Sequence, residues 1–270
     1  MIYARDKGRM CNNILQFGHV WALAKEHERK AISMRFAYKY PYFKISTSRG
    51  HNFFRYAFTK YAAKAGLIPV VSFDTPGEDC EARAEEILTK RSVIVEGWEV
   101  RYYDLFLKYL DEIRDMFAFT SAVEKQAERV MEPYADAVKI GLHIRRGDYA
   151  TWQSGKYFFY DRQYIDVARR LAARYPGKRV ALYVCGNDPS LDKASYRTAL
   201  EGINVIFPAG NPGEDLCVLS KCDVLAGPPS TFSLVAAMYR DVPLMWIKNP
   251  GAEITDSSFG KFADLFRHII

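Results

Sequence analysis

Residues 138–149 read VKIGLHIRRGDY, and the pattern of this stretch indicates how the second half of the chain folds. Apolar side chains occupy every second position from Val138 to Ile144, a period that predicts a β-strand. Arg145 and Arg146 follow directly, so the predicted strand ends where the charged residues begin. The stretch therefore combines a buried strand with a charged loop at its carboxyl end.

Strands and helices alternate regularly on the carboxyl side of this stretch. Four more strands are predicted at 179–185, 203–207, 223–226 and 242–247, and helices at 160–175, 190–201, 214–221 and 231–240. Strands separated by helices of this length predict an α/β fold with a parallel, doubly wound sheet. Such sheets bind ligands in the crevice at the carboxyl ends of their strands.

The first half of the chain has a less regular pattern. It predicts strands at 2–5 and 92–96, an amphipathic helix at 103–117, and a helix through Ile14 to Ala24 that follows a polar loop from Asp6 to Asn13. A further helix is predicted at 121–134, where Ser121 and Glu124 have the spacing of a capping box. Its Pro133 lies close to the domain boundary that we infer, with domains at 1–135 and 136–270.

Composition and charge limit the classes of function. The 270 residues are 49% hydrophobic and 26% charged, which is typical of a soluble globular protein. The net charge of +6 suits an anionic ligand, but the basic residues form no run of five or more, so we expect no nucleic-acid partner. The five cysteines and five histidines match no metal or redox spacing, so no metal is expected.

Several other sequence signals are missing. No apolar run approaches the roughly 20 residues of a membrane helix, and the first ten residues form no apolar signal core. We therefore expect a cytoplasmic location. Neither a nucleophile elbow nor a Gly-rich phosphate loop with the Lys-Ser/Thr ending occurs, so neither a hydrolase nor a P-loop function is indicated.

The arginine pair allows two interpretations. An arginine at a strand end can offer a planar fork of donors to a phosphate. Alternatively, Arg145 and Arg146 can form ion pairs with nearby carboxylates. Since adjacent residues of a strand point to opposite faces, we expect only one of the two to point into the crevice.

Two other loops precede helices. Residues 227–233, GPPSTFS, lie where the predicted strand 223–226 passes into a helix, and hydroxyls with free N–H groups there can bind an anion. Capping of the helix by Ser230 or Thr231 explains the same residues, and on its own it is the better explanation. The loop from Asp6 to Asn13 contains Gly8 and two asparagines, which fits a close backbone approach to a ligand as well as a simple turn.

Together these loops resemble a known family. HIRRGDY at 143–149 resembles the H-x-R-R-G-D-Y signature of the α-1,2-fucosyltransferases, and DLCVLSKC at 215–222 with STFS at 230–233 resembles their second conserved block. GRMCNNILQF at 8–17 is similar to their opening motif, and EGWEVR at 96–101 is similar to a fourth stretch. The four matches follow the family order and span nearly the whole chain.

This resemblance implies a GT-B-like fold of two Rossmann-like domains with parallel sheets. It implies GDP-fucose as donor substrate, inversion at the sugar carbon, and neither a metal nor another cofactor. Residues 1–135 would form the acceptor side, and 136–270 the nucleotide-sugar-binding domain. The acceptor would be an oligosaccharide or a lipid-linked glycan, with galactose O2 as the expected hydroxyl and peripheral membrane association through that acceptor.

The resemblance also implies roles for individual residues. Arg145 would hold the β-phosphate, with Arg146 and Asp148 completing the catalytic set. Asp148 is the candidate base for the acceptor hydroxyl, although neighbouring arginines favour its ionised form and make it a weak base. The donor-binding set would comprise Asn12 from the other domain, His143, Asp215, Ser230, Thr231, Phe232 and Ser233.

The chain departs from the family pattern at a few positions. Cys11 replaces a glycine of the opening loop, Leu234 and Val235 replace a tryptophan pair, and residues 185–188 match the family only loosely. Two alternatives therefore stay open: a related glycosyltransferase with another nucleotide sugar, and a non-catalytic protein that binds nucleotide sugars or glycans.

Overall fold

The computed structural model describes residues 1–5, 7–186 and 188–269. Its contacts divide the chain into two compact units, Met1–Thr120 and Ser121–Ile270. Asp6 of the opening loop and Asn187 of the divergent 185–188 segment lie outside the described residues.

The first unit contains a four-stranded parallel sheet with the strand order β2-β1-β4-β3. Its strands are β1 (Ile2–Ala4), β2 (Ala31–Ser33), β3 (Val70–Ser72) and β4 (Val93–Glu96). The sequence predicted β1 and β4, which lie at the centre of the sheet and are almost entirely buried. It did not predict the edge strands β2 and β3, because the helix between them, Phe53–Lys64, buries only Thr59 and Ala62 and shows no apolar stripe that would reveal a strand–helix alternation.

Five α-helices belong to the first unit: α1 (Met10–Glu26), α2 (Phe53–Lys64), α3 (Ala84–Leu88), α4 (Tyr103–Lys108) and α5 (Leu110–Met116). Helix α1 is buried along most of its length, as its apolar spacing predicted. The single helix predicted at 103–117 is wrong, because the backbone of Tyr109 is not helical. The Tyr109 ring packs against Trp21 and its hydroxyl donates to Glu26, so this residue turns toward α1 and separates α4 from α5.

The second unit contains a five-stranded parallel sheet with the order β7-β6-β5-β8-β9. Its strands are β5 (Val138–Ile144), β6 (Val180–Gly186), β7 (Asn204–Ile206), β8 (Val224–Gly227) and β9 (Leu244–Trp246). All five lie where the sequence predicted strands. Strand β5 is central, since the chain passes to β6 on one side and later to β8 on the other. This arrangement is the topological switch point at which doubly wound sheets bind ligands.

The helices of the second unit are α6 (Ser121–Met131), α7 (Asp161–Ala172), α8 (Lys193–Ala199), α9 (Pro212–Ser220), α10 (Thr231–Arg240) and α11 (Phe262–Phe266). Helix α6 packs on α9, and Glu124 of α6 forms an ion pair with Lys221 at 2.6 Å. The structure therefore divides the chain before this helix, whereas the sequence pattern placed the boundary after it, at residue 135.

All five cysteines are buried. Burial raises the pKa of Cys80, Cys185 and Cys222, and it raises that of Cys217 to about 12. Within residues 1–5, 7–186 and 188–269, no group of three or more His, Cys, Asp or Glu side chains is placed to hold a metal ion. Over the same residues, every helix is too short or too polar to cross a bilayer.

Candidate functional site

Two of the three predicted loops meet at the carboxyl ends of β5 and β8. These strands are neighbours, with Leu142 opposite Ala226, so the loop after β5 lies beside the loop that opens α10. Gly227 permits this contact, because a Cβ at that position would lie 2.8 Å from the carbonyl oxygen of His143. The fold therefore forms one site from the RRGDY and PPSTFS segments.

Arg145 keeps a free donor at this site. Its side chain is only 15% exposed, Nη2 donates to Asp148 Oδ2 at 2.8 Å, and the guanidinium carbon lies 5.4 Å from the centre of the Tyr149 ring. Its Nε is buried and has no hydrogen-bond partner among the described residues. A buried N–H donor on a fixed arginine is a suitable ligand for an anion.

Arg146 is held within the protein instead. It is 7% exposed, and its three nitrogens donate to the Phe159 carbonyl at 2.9 Å, to Asp188 at 3.0 Å and to Asp161 at 2.6 Å. Burial alone would lower the pKa of Arg146, but the two carboxylates outweigh it and raise the pKa. The ion-pair interpretation therefore holds for both arginines, since Arg146 pairs with Asp161 and Asp188 and Arg145 pairs with Asp148. Arg145 also retains an unused Nε donor, and its contact with a phosphate stays a prediction.

His143 contributes a neutral ring. Burial, assisted by the charge of Arg145, lowers the pKa of His143 to about 3, so the imidazole carries no charge at neutral pH. The ring stacks on Phe232 with centroids 5.0 Å apart, and its Nδ1 is buried without a hydrogen-bond partner in the described part of the chain. The positive charge at the end of β5 thus comes from arginine alone.

The start of α10 is a capped helix terminus. The Ser230 hydroxyl accepts a bond from the N–H of Phe232 at 3.2 Å, and the Ser233 hydroxyl donates to the Ser230 carbonyl at 3.2 Å. Tyr149 joins the two loops, because its hydroxyl donates to the Pro229 carbonyl at 2.5 Å. The capping interpretation is thus confirmed for Ser230, and Thr231 occupies the first helical position beside it. The dipole of this helix still favours an anion near its start.

Asp215 lies in the first turn of α9, near the end of the neighbouring strand β6. Its carbonyl oxygen is 4.0 Å from the sulfur of Cys185, and Cys185 pairs with His143 in the sheet register. Burial, together with the charge of Glu214, raises the pKa of Asp215 to about 7. Its Oδ1 is buried with no hydrogen-bond partner among the described residues, so this carboxyl can accept bonds from a ligand.

Asn12 lies in the first unit, in the first turn of α1. Gly8 approaches it closely, since a Cβ at Gly8 would lie 2.5 Å from Asn12 Nδ2. The adjacent Asn13 holds the loop, because its amide accepts from the N–H of Lys7 at 3.1 Å and donates to the Arg9 carbonyl at 2.7 Å. The loop is therefore built by local hydrogen bonds.

The opening motif and the fourth motif also meet within the first unit. The Gln16 amide donates to the Gly97 carbonyl at 2.9 Å. Gly97 has a φ of +108°, and a Cβ there would lie 2.1 Å from the Phe73 carbonyl oxygen, so only glycine fits. These two segments are thus in direct contact within the first unit, although about 80 residues separate them in the sequence.

Sequence reasoning missed four residues that support the site. Asp161 and Asp188 hold Arg146, and Tyr149 ties the two loops together. The Tyr164 hydroxyl accepts from the backbone N–H of Arg145 at 3.4 Å. Asp161 has the sequence signature of an ordinary acidic residue in the first turn of a helix, so the sequence offered no signal of its second role.

Comparisons with known proteins bear on the fold. No protein-family model and no curated protein sequence matches the chain. An arginine-to-lysine mutant of Arabidopsis thaliana FUT1 in complex with GDP is similar in structure, with a TM-score of 0.63 and 16% identity over 96% of this chain and 73% of that chain. The chain has the GT-B-like fold of fucosyltransferase structures.

Two further solved structures agree. NodZ, an α-1,6-fucosyltransferase co-crystallised with GDP, has a TM-score of 0.57 and 14% identity over 93% of this chain and 96% of that chain. POFUT1 in complex with GDP-fucose has a TM-score of 0.53 and 13% identity over 89% and 93%. The predicted fold class is therefore confirmed.

Proposed function

We propose that the chain is a glycosyltransferase that moves fucose from GDP-fucose to a hydroxyl group of a glycan acceptor, with inversion and without a metal ion. The observation that carries this proposal is the buried, unpartnered Nε of Arg145 beside the capped start of α10. The complexes of similarly folded proteins with GDP and GDP-fucose support the choice of donor.

The proposed chemistry needs positive charge at the leaving group. Breaking a glycosyl phosphate bond leaves negative charge on the diphosphate while positive charge develops on the sugar ring. Arg145 and the N–H groups at the start of α10 are fixed before the reaction, so they stabilise the developing charge without reorganising. Thr231 and the hydroxyls of Ser230 and Ser233 complete this side of the donor site, with Phe232 and His143 forming its apolar wall.

Arg146 and Asp148 act as positioning residues in this proposal. Asp148 holds one edge of the Arg145 fork, which leaves Nε for the phosphate. Arg146 ties the end of β5 to Asp161 and Asp188, and so fixes the backbone from which Arg145 projects. Because the Asp148 carboxylate is engaged by Arg145, we assign it to orientation and not to proton removal. Galactose O2 remains the proposed acceptor atom.

A binding and turnover panel tests the donor assignment. We expect isothermal titration calorimetry to detect binding of GDP and GDP-fucose, with weaker or undetectable heats for UDP-sugars. We also expect GDP to be released from GDP-fucose when a galactosyl acceptor is added. Binding of a UDP-sugar in place of GDP-fucose would identify a related glycosyltransferase with another donor. Donor binding without GDP release across a broad acceptor panel would favour a non-catalytic binding protein.

The buried carboxyl of Asp215 predicts pH-dependent GDP binding. In this proposal the Asp215 carboxylate accepts hydrogen bonds from the N–H groups of the guanine base. These bonds require the ionised form of the carboxyl. With a pKa of about 7 in the free protein, GDP affinity should rise with pH and be roughly 30-fold higher at pH 8 than at pH 5.5. Calorimetric titration across this range measures the effect.

Asp215→Asn is the matched variant for this prediction. It should bind GDP weakly and lose the pH dependence that is specific to the wild type, while the titration of the diphosphate itself remains common to both proteins. Equal pH profiles of the wild type and Asp215→Asn would exclude a role of this carboxyl in nucleoside binding.

A further inference from the structure

Helix α2 of the first unit exposes large aromatic side chains. Phe54, Phe58 and Tyr61 are 85%, 68% and 63% exposed, and their i, i+4, i+7 spacing places them on one side of the helix, here called the aromatic face. Phe53 and Leu67 next to them are also exposed. Apolar groups clustered on a surface in this way mark a contact site, whereas single exposed ones do not.

The aromatic face has no role in holding α2 to its own unit. The buried residues of the helix are the small Thr59 and Ala62, and Ala62 packs in the cluster of Ile32 and Ile68. The phenylalanine rings therefore remain in water after folding, and burial of the helix by the unit gives them no stabilisation. Their hydrophobic surface is left for a partner.

The segment that contains α2 is strongly basic. No acidic residue occurs between Glu28 and Asp74, whereas nine of the chain's 38 Lys and Arg residues lie there. The rest of the chain, with 29 basic and all 32 acidic residues, has a negative formal charge. The basic surplus of the protein is thus concentrated in this one segment.

Three of these charges flank the aromatic face. Lys60 and Lys64 are exposed neighbours of Tyr61 on α2, and Arg55 lies on the other side of the face. Within residues 1–5, 7–186 and 188–269 none of the three forms an ion pair with a carboxylate. The helix therefore offers exposed rings bordered by uncompensated positive charge.

We propose that the aromatic face of α2, with Lys60 and Lys64, binds the surface of an anionic phospholipid membrane. Aromatic rings insert at the boundary of headgroups and acyl chains, and flanking lysines contact lipid phosphates, as in amphipathic helices that lie in the membrane interface. A second copy of the chain is a poorer occupant, because two such basic segments would repel each other. This contact belongs to the chain itself and does not depend on the proposed donor chemistry.

Vesicle co-sedimentation of the full chain tests the proposal. We expect binding to vesicles of 70% phosphatidylcholine and 30% phosphatidylglycerol, little binding to pure phosphatidylcholine, and release at high salt. Lys60→Gln with Lys64→Gln should weaken binding to the anionic vesicles by about 25-fold, at roughly fivefold for each charge. Phe54→Ser with Phe58→Ser should weaken it at least about tenfold, since the rings supply the apolar part.

Matched variants separate this contact from net charge. Lys125→Gln with Lys178→Gln removes the same charge from exposed positions of the second unit and should change vesicle binding by less than about twofold. Since all the substituted side chains are exposed, thermal unfolding should stay unchanged. The proposal would be overturned if the wild-type protein did not bind anionic vesicles. It would also be overturned if the two double lysine variants lost vesicle binding to the same extent. A dimer in sedimentation velocity that Phe54→Ser with Phe58→Ser dissociates would instead assign the face to a second copy.

Discussion

Arg145→Ala is expected to lower kcat/KM for fucosyl transfer by about 10²–10³-fold, equivalent to about 2.7–4 kcal/mol of transition-state stabilisation. Arg145 has a buried Nε that no other described residue uses, and its partner Asp148 is half-exposed, so the side chain contributes little to folding. Most of the loss should appear in kcat, because charge on the diphosphate is largest in the transition state. Steady-state kinetics of GDP release measure the effect.

Arg169→Ala is the matched control for this experiment. Arg169 lies in the same unit, is half-exposed and faces Asp166 at 3.8 Å, so its removal should leave kcat/KM within about twofold of wild type. Arg145→Lys retains the charge but not the planar fork and should recover only part of the rate. A full rate in Arg145→Ala would show that the diphosphate is held elsewhere.

Arg146→Ala is expected to destabilise the second unit by about 3–5 kcal/mol and to lower its Tm by roughly 10 °C. Removal of the guanidinium leaves the carboxylates of Asp161 and Asp188 without their buried cation. The pKa of Asp188 is held below its usual value by its bonds to Ser190 and by Arg146. This contribution to stability is present above the unfolded pKa of about 3.9 and is lost as the pH falls below it, so the difference between variant and wild type should shrink in acid.

Thermal unfolding followed by circular dichroism measures this effect, with Arg179→Ala as control. Arg179 also pairs with an aspartate, Asp136, at 2.6 Å, but the Arg179 side chain is 44% exposed and that of Asp136 is 69% exposed. Its removal should therefore change the free energy of unfolding by less than about 1 kcal/mol. Equal losses in the two variants would show that the Arg146 network does not fix the end of β5.

The second unit could be predicted almost completely from sequence, for a physical reason. Its strands are buried in a parallel sheet with helices between them, so they appear as compact apolar runs at regular intervals. The edge strands β2 and β3 of the first unit carry no such pattern, since no regular apolar helix separates them. Helix α2 was also missed, because its large side chains face outward and its small ones face inward.

The segments that form the candidate site could be predicted from sequence, but the different contacts of Arg145 and Arg146 could not. The end of β5 and the start of α10 could be located from motif and periodicity. The sequence could not show that Arg146 is held by protein carboxylates while Arg145 keeps an unused donor. The partners of Arg146 lie 15 and 42 residues further along the chain. The raised pKa of Asp215 comes mainly from burial, which exists only in the folded chain and is not visible in a sequence motif.

The five cysteines can report local unfolding of the protein. Cys11 and Cys80 lie in the first unit, and Cys185, Cys217 and Cys222 lie in the second. Since thiol reagents attack the exposed thiolate, buried thiols react only after the surrounding structure has opened. Each unit thus has natural labelling sites, so the opening rates of the two units can be followed separately in the unmodified chain.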